Sequence, residues 1–375
     1  MIIPQPASPL WREYQIPHEQ PTLMVCNEFA ANIINEINLI NQDNPKAVIV
    51  IFFPNELDIY TSFNDDATSF NMHDFIKAFA VQNSISTQLL REKTLVDGLK
   101  CQIYWWLSLA LYVKSLHIPW ILTAMSSDSA FAGIGYGFDK GKESQNIVLG
   151  CSHIYNSNGE GLKYKLSPID GNKCVWDNRR NPFLSESEAF KVGMGIRELF
   201  YSTATTLPKR VVIHKRTRFT KDEIAGFVAA LKAKGVDELE LLEINYEDDV
   251  RFIALSPFNG NIDSFPMRRG ACIPISDHSA YLYTHGITSS VRNDSYKYYK
   301  GGTNIPIPIK ITRYYGNSDL TQIATEILGL TKMNWNSFDM YSKLPCTLQS
   351  SAEIARIGWM LSHSEGKVYD YRFFM

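Results

Sequence analysis

Ala47-Val-Ile-Val-Ile-Phe-Phe-Pro54 is an unbroken apolar run of strand length, rich in β-branched and aromatic residues and stopped by proline. A strand with no polar face is expected to be covered on both sides, as in a parallel sheet. The sequence downstream agrees. Asn71–Gln82 sets Met72, Phe75, Ile76 and Phe79 at helical spacing, Ile85–Leu90 reads as a short second strand, and Tyr104–Leu116 reads as a helix ending before Pro119. Upstream lie a helix around Glu28–Asn41 and a lead holding Pro4, Pro6, Pro9, Trp11, Tyr14 and Pro17. Strand, helix, strand, helix is the α/β, Rossmann-like pattern.

Beyond Pro119 the rhythm changes. Trp120–Met125, Ala130–Phe138 and Ile147–Ile154 read as consecutive strands, followed by a helix at Ser185–Thr203. Then come a strand at Arg210–His214, a helix at Lys221–Lys234 and a strand at Leu239–Asn245. Phe252–Pro257, Gly270–Pro274 and Ala280–Gly286 read as further strands, and helices at Leu320–Leu330 and Ala352–Leu361 close the chain. Hairpins first and strand–helix alternation afterwards is the order of an RNase H-like fold. The reading divides the chain into a lead and helix (1–45), a first α/β domain (46–118) and a second domain (119–375).

The chain has 375 residues, a formal net charge of −2 and 45% hydrophobic residues, which excludes wholesale disorder. That net charge argues at first against nucleic acid. It conceals an uneven distribution: residues 1–118 carry seven basic and twelve acidic side chains, whereas Lys209–Lys221 alone holds six basic and none acidic. From Pro266 to Arg313, Arg268, Arg269, Arg292, Lys297 and Lys300 are interleaved with tyrosines. Basic residues among aromatics suit a groove that follows a phosphate backbone. The run Val236–Asp249 carries seven acids and no base, and offers a docking surface together with the Pro-rich lead. Six cysteines lie far apart without a CxxC pair, which points to a reducing cytoplasm rather than a disulfide framework. No basic, apolar leader opens the chain, and Ile103–Val113 is too short to span a bilayer, so no membrane insertion is expected.

Four polar residues in the first domain belong together. His73 and Lys77 are four apart and share a helix face; Gln88 follows on the second strand and Lys114 near the end of the apolar helix. Two ammonium groups, an amide and a ring donor make a cage for a terminal phosphate.

The order His73-Asp-Phe-Ile-Lys77, Ser86-Thr-Gln88 and Tyr112-Val-Lys114-Ser-Leu-His-Ile-Pro-Trp120 resembles the MID domain of Argonaute proteins. The remainder resembles a PIWI domain: Ala130-Phe-Ala-Gly-Ile-Gly-Tyr-Gly137, Val211-Val-Ile-His-Lys-Arg216, Leu330-Thr-Lys-Met-Asn-Trp335, Lys343-Leu-Pro345 and Ala352-Glu-Ile-Ala355 follow in the family's order. The resemblance covers residues 45–375. It implies a Rossmann-like MID domain followed by an RNase H-like PIWI domain, the arrangement of a short prokaryotic Argonaute.

The resemblance also implies roles. Lys77, Gln88 and Lys114 would bind the 5′-phosphate of a guide strand, with His73 stacking on its first base. The carboxylate of Met375 would hold a Mg²⁺ ion against that phosphate, the alternative being a merely buried tail. Lys215, Arg216, Arg218, Arg268, Arg269, Arg292, Lys297 and Lys300 would track the nucleic-acid backbone. Slicing by an RNase H-like centre needs carboxylates around two metal ions. The family's first Asp falls at Gly135 here, its second at Arg216, and its terminal ligand near Asn334–Asn336, so no catalysis by this chain is expected. The resemblance implies an RNA guide, a single-stranded DNA target, and a partner effector with a PAZ-analogous region (TIR-like, sirtuin-like, nuclease or membrane-active) in antiviral and anti-plasmid defence. Two alternatives stay open: a nuclease built on Asp128, Asp139 and Asp319, and a structural subunit that has lost guide binding.

Overall fold

The computed structural model describes residues 21–375 apart from 66–67, 98–99, 124–127, 139–146, 157–159, 162, 204–206, 254, 256–259, 261–265, 288–305, 337–340, 359 and 362–366. The first helix, α1 (Leu23–Asp43), starts at Thr22, whose hydroxyl accepts from the Val25 N–H. Cys26, Phe29, Ala30, Ile33 and Ile37 form its buried stripe. That stripe packs on β1 (Val48–Phe53). A short hairpin, β2 (Ser62–Asn64) and β3 (Ser69–Asn71), leads into α2 (Met72–Asn83), which Asn71 caps and Ser84 ends in the left-handed region at φ 57°. The strand β4 (Ser86–Arg91) then pairs parallel with β1, Val50 opposite Gln88. Two helices follow, α3 (Glu92–Asp97) and α4 (Lys100–Lys114).

This first unit corrects two expectations. The apolar run is covered on one face only: β1 and β4 form a two-stranded sheet, and Val50 and Phe52 are about half exposed. The division at 45/46 is no break in packing, because α1 shares one core with Ile49, Phe53 and Ile76.

The second unit is built on a nine-stranded sheet. In chain order its elements are β5 (Ser129–Phe138), β6 (Ile147–Tyr155), β7 (Lys163–Asp170), a small hairpin of β8 (Val175–Trp176) and β9 (Pro182–Phe183), α5 (Glu186–Thr203), β10 (Arg210–Lys215), α6 (Lys221–Ala230) and β11 (Glu238–Tyr246). Next come β12 (Cys272–Ser276), β13 (Ser279–Leu282), β14 (Ile309–Tyr315), α7 (Leu320–Leu330), α8 (Cys346–Gly358), β15 (Val368–Asp370) and α9 (Tyr371–Phe374). The spatial order is β12-β13-β14-β11-β10-β5-β6-β7-β15, with β5, β10 and β11 parallel at the centre and antiparallel strands outside. Alternation along β10 sends Val211 and Ile213 to the face covered by α5 and α6, and Val212 to the face covered by α7 and α8. The mixed α/β class is as expected. Residues 120–123 and 252–253 are not in strands, β7, β14 and β15 are additional strands, and α8 begins at Cys346 rather than Ala352. The acidic run Val236–Asp249 is largely β11, an interior strand between β10 and β14. Its Glu240 is buried and accepts from the Asn317 and Ser318 N–H groups, whereas Asp237, Glu238, Asp248 and Asp249 at the two ends of the run are exposed. The Pro-rich lead lies outside the described residues.

The two units are continuous. Ala78 and Val81 of α2 and Leu109 and Val113 of α4 belong to the same core as Ile354, Tyr371, Phe374 and Met375. Lys367 donates to the Gln82 carbonyl at 2.8 Å, and Arg356 of α8 pairs with Asp74 of α2. No described helix is long and apolar enough to cross a membrane.

The helix α8 rests directly on the backbone of β5. A Cβ at Gly135 would lie 2.5 Å from the Ser351 carbonyl oxygen, and one at Gly133 or Gly137 would overlap the carbonyls of Thr347 or Ala355. A Cβ at Gly195 in α5 would instead meet only side-chain ends, Ser167 Oγ at 3.4 Å and Lys165 Cδ at 3.6 Å. Gly135→Ala is therefore expected to cost about 3 kcal/mol from overpacking, and Gly195→Ala to be neutral or slightly stabilising. Thermal denaturation of the two variants checks the contrast.

Candidate functional site

A cavity of about 480 Å³ opens where α2, β4, α4, α8 and α9 meet. Four of the residues singled out in the sequence line it: His73, Lys77, Gln88 and Lys114. Lys77 projects from α2 and is 3% exposed; its Nζ donates to the Thr87 carbonyl at 2.9 Å and to the Met375 main-chain oxygen. Gln88 turns inward from β4, gives its amide N–H to the Leu89 carbonyl at 2.9 Å, and accepts with Oε1 from Lys114 Nζ. Lys114 is the last residue of α4, also 3% exposed, and the Ser86 hydroxyl holds its carbonyl at 3.2 Å. His73 stands exposed one turn before Lys77, at the mouth.

Among the described residues no Asp or Glu pairs with either amine. Burial lowers the Lys77 pKa to about 8. Burial and then the neighbouring charge of Lys77 push Lys114 well below the ordinary lysine range. Two buried amines on one cavity, neither paired with an acidic side chain, suit a small anion with several oxygens.

The mouth carries residues that sequence reasoning missed. Asp74, Trp106, Arg91, Glu353 and Arg356 lie at or near it. Burial works to raise Asp74, but the hydrogen bond from His73 and the guanidinium of Arg356 outweigh it and hold the carboxyl below its usual range. Glu353 is pushed up by burial, with Gln349 and Arg356 opposing. Glu353-x-x-Arg356 was visible as a same-face pair on a helix; that its helix reaches α2 was not.

The remaining expected positions divide. Arg216 and Arg218 are exposed. Arg268 is exposed beside a one-residue bridge to Ile287. Arg292, Lys297 and Lys300 lie outside the described residues. Lys215 and Arg269 are corrections. Lys215 is 1% exposed and bound to Glu223 at 2.6 Å, because the strand period turns it into the sheet. Arg269 donates to the Thr284 and Leu328 carbonyls and to Thr331 Oγ1, and stacks on Tyr341 at 4.5 Å. Both guanidinium and ammonium are consumed inside the fold. Of the alternative carboxylates, Asp128 pairs with Lys209 at 3.3 Å, Asp319 caps α7, and Asp139 lies outside the described residues. No three His, Cys, Asp or Glu side chains converge on one point among the described residues.

No protein-family profile matches the chain. The Argonaute protein of Aquifex aeolicus aligns with it at 28% identity over 329 residues, 86% of this chain and 40% of that protein. The similarity runs through most of this chain. Among solved structures, Aquifex Argonaute with externally bound siRNA superposes with a TM-score of 0.61 at 22% identity, over 94% of this chain and 44% of that one. Clostridium butyricum Argonaute bound to a guide DNA and a 19-mer target DNA gives 0.67 at 17% identity, over 92% and 42%. At those identities the structures speak to the fold. The chain spans less than half the length of each of these proteins.

Two outcomes follow from the buried lysines. Replacing buried charge by apolar side chains of similar volume commonly stabilises, so Lys77→Met with Lys114→Met is expected to add about 1–4 kcal/mol to stability while abolishing anion binding. Denaturant melts and phosphate titration measure the two effects. An anion restores charge to amines whose pKa values burial has lowered. Inorganic phosphate should therefore bind with proton uptake, and more weakly as pH rises past about 8, where Lys77 loses its proton. Calorimetry in buffers of different ionisation enthalpy reads the uptake.

Proposed function

We propose that this chain holds the 5′-phosphorylated end of a short guide strand in the α2–β4–α4 cavity and presents the guide for pairing with a target strand, without cutting it. The observation that carries the reading is the pair of buried amines on one cavity, Lys77 held by the Thr87 carbonyl and Lys114 by Gln88, with no acidic side chain paired to either among the described residues. A terminal phosphate offers the charge and the oxygens that this pair lacks, and exposed His73 offers a ring for the first base. In this reading residues 46–118 act as a MID domain and 119–375 as a PIWI domain. Base pairing supplies sequence specificity while the protein reads the guide end and the backbone, by analogy with other guided systems.

The absence of slicing is part of the proposal. Gly135 faces the backbone of α8, and Arg216 puts positive charge at the end of β10, where a two-metal centre would need carboxylates. The guide is taken to be RNA and the target single-stranded DNA. The output, defence against phage or plasmids, is assigned to a separate effector chain. Magnesium fits only as an ion shared with the guide. The Met375 main-chain oxygen and the Glu353 carboxyl lie on the cavity, hard donors of the kind Mg²⁺ accepts when phosphate and water complete its shell. Such an ion would add positive charge beside the phosphate.

Lys77→Ala with Lys114→Ala should weaken a 5′-phosphorylated strand at least tenfold and leave a 5′-hydroxyl strand nearly unchanged, as read by fluorescence anisotropy. Equal affinity of the unmutated protein for the two strands refutes the guide-end reading. Metal-dependent cleavage of a labelled target at one position refutes the non-slicing part.

A further inference from the structure

We infer that the Pro-rich lead straps the small sheet: its segment Leu10-Trp-Arg-Glu-Tyr-Gln-Ile16 docks on the side of that sheet that carries Val50 and Phe52, the side on which α4 lies. The strap is independent of what the cavity binds.

That side is apolar and unpartnered. In the β1–β4 pair Val50 lies opposite Gln88 and Phe52 opposite Leu90, so these side chains share a face. Gln88 accepts from Lys114, which puts α4 on the same face, over β4. The β1 half stays bare among the described residues: Val50 is 48% and Phe52 51% exposed, whereas Ile49 and Phe53 on the other face are buried with α1. The helix α4 carries no charged residue from Cys101 to Val113. Besides its buried residues it sets Tyr104, Trp105 and Tyr112 in solvent, with Leu116 just beyond its end. A helix that is apolar all round is normally buried, and tryptophan and tyrosine exposed together mark a contact surface.

The lead fits this side by reach, composition and tether. Only Asn44–Ala47 joins α1 to β1, so the helix runs back along the strand. The helix is about 31 Å long and the strand about 20 Å, which leaves Thr22 beyond the Phe53 end. β1 pairs with β4 alone, so its other edge is open for the chain to pass round. Residues 17–21 reach about 17 Å when extended, enough to bring the segment before them from the α1 side to Phe52. Within that segment Leu10, Trp11, Tyr14 and Ile16 accompany a single pair of opposite charges, Arg12 and Glu13, which matches a face without charge of its own. A covalent tether holds the segment at roughly millimolar effective concentration, an advantage that no separate chain of equal affinity has. The elements so covered are those that bring Gln88, Trp106 and Lys114 to the cavity.

A photo-crosslinking aromatic, p-benzoylphenylalanine, in place of Phe52 in the full chain tests the strap, with the adducts mapped by mass spectrometry. The expected product is a link within one chain between position 52 and Leu10–Ile16. The same probe in place of Leu39, exposed on α1, should not capture that segment. Trp11→Ser with Tyr14→Ser should abolish the link and speed hydrogen exchange of the β1 and α4 amides several-fold. On the receiving side, Phe52→Ser should raise the rate of tryptic cleavage after Arg12 several-fold, with melting curves confirming the fold. Links that join two copies of the chain, links to a co-purified protein in place of the lead, or no link at all overturn the strap. So do exchange and cleavage rates that the substitutions leave unmoved.

Discussion

Two amines buried near one another, with no acidic side chain to share, impose a condition that much of this molecule serves. Each finds its acceptors on elements other than its own. Thr87 and Gln88 supply theirs from β4, and Met375 supplies another from the end of the chain. Satisfying the amines therefore draws α2, β4, α4 and α9 to one point. It also explains why the last residues described leave the large sheet and lie against the small one, with Tyr371, Phe374 and Met375 sharing a core with Val81 and Val113. The seam between the two sheets is consequently packed rather than hinged, and Arg356 with Asp74 closes its edge.

The large sheet manages charge in the opposite way. Its interior cations are paired outright: Arg210 makes a two-pronged bond to Glu326, at 2.7 and 3.1 Å, and Lys215 meets Glu223, which also caps α6. One basic segment, Lys209–Lys221, thus serves two purposes. Members inside the strand are neutralised within the fold, whereas those just beyond it stay charged and accessible. The boundary is the point where β10 stops.

The sequence made this division only half legible. Spacing of four between His73 and Lys77, and the apolar flanks of Gln88 and Lys114, were enough to group the cavity residues before any coordinates, because helix and strand periods are local properties. The α/β alternation was legible for the same reason. Lys215 and Arg269 misled because a count of basic residues carries no information about which face of a strand each occupies or which carbonyls await it. Asp74, Glu353 and Arg356 were invisible as site residues because their meeting depends on α8 docking against α2, some 280 residues apart in the chain. β1 misled in a subtler way: an unbroken apolar run suggested two covered faces, yet Val50 and Phe52 remain in solvent.

The glycines of β5 carry a consequence for how this chain can change. With α8 lying on bare backbone at Gly133, Gly135 and Gly137, a side chain at any of these positions requires the helix to lift. The same helix brings Glu353 and Arg356 to the cavity. A mutational path that puts an acid at position 135 must therefore pass through intermediates that have disturbed both the core and the anion site. The close fit of helix on strand therefore ties what position 135 can carry to the integrity of the anion site.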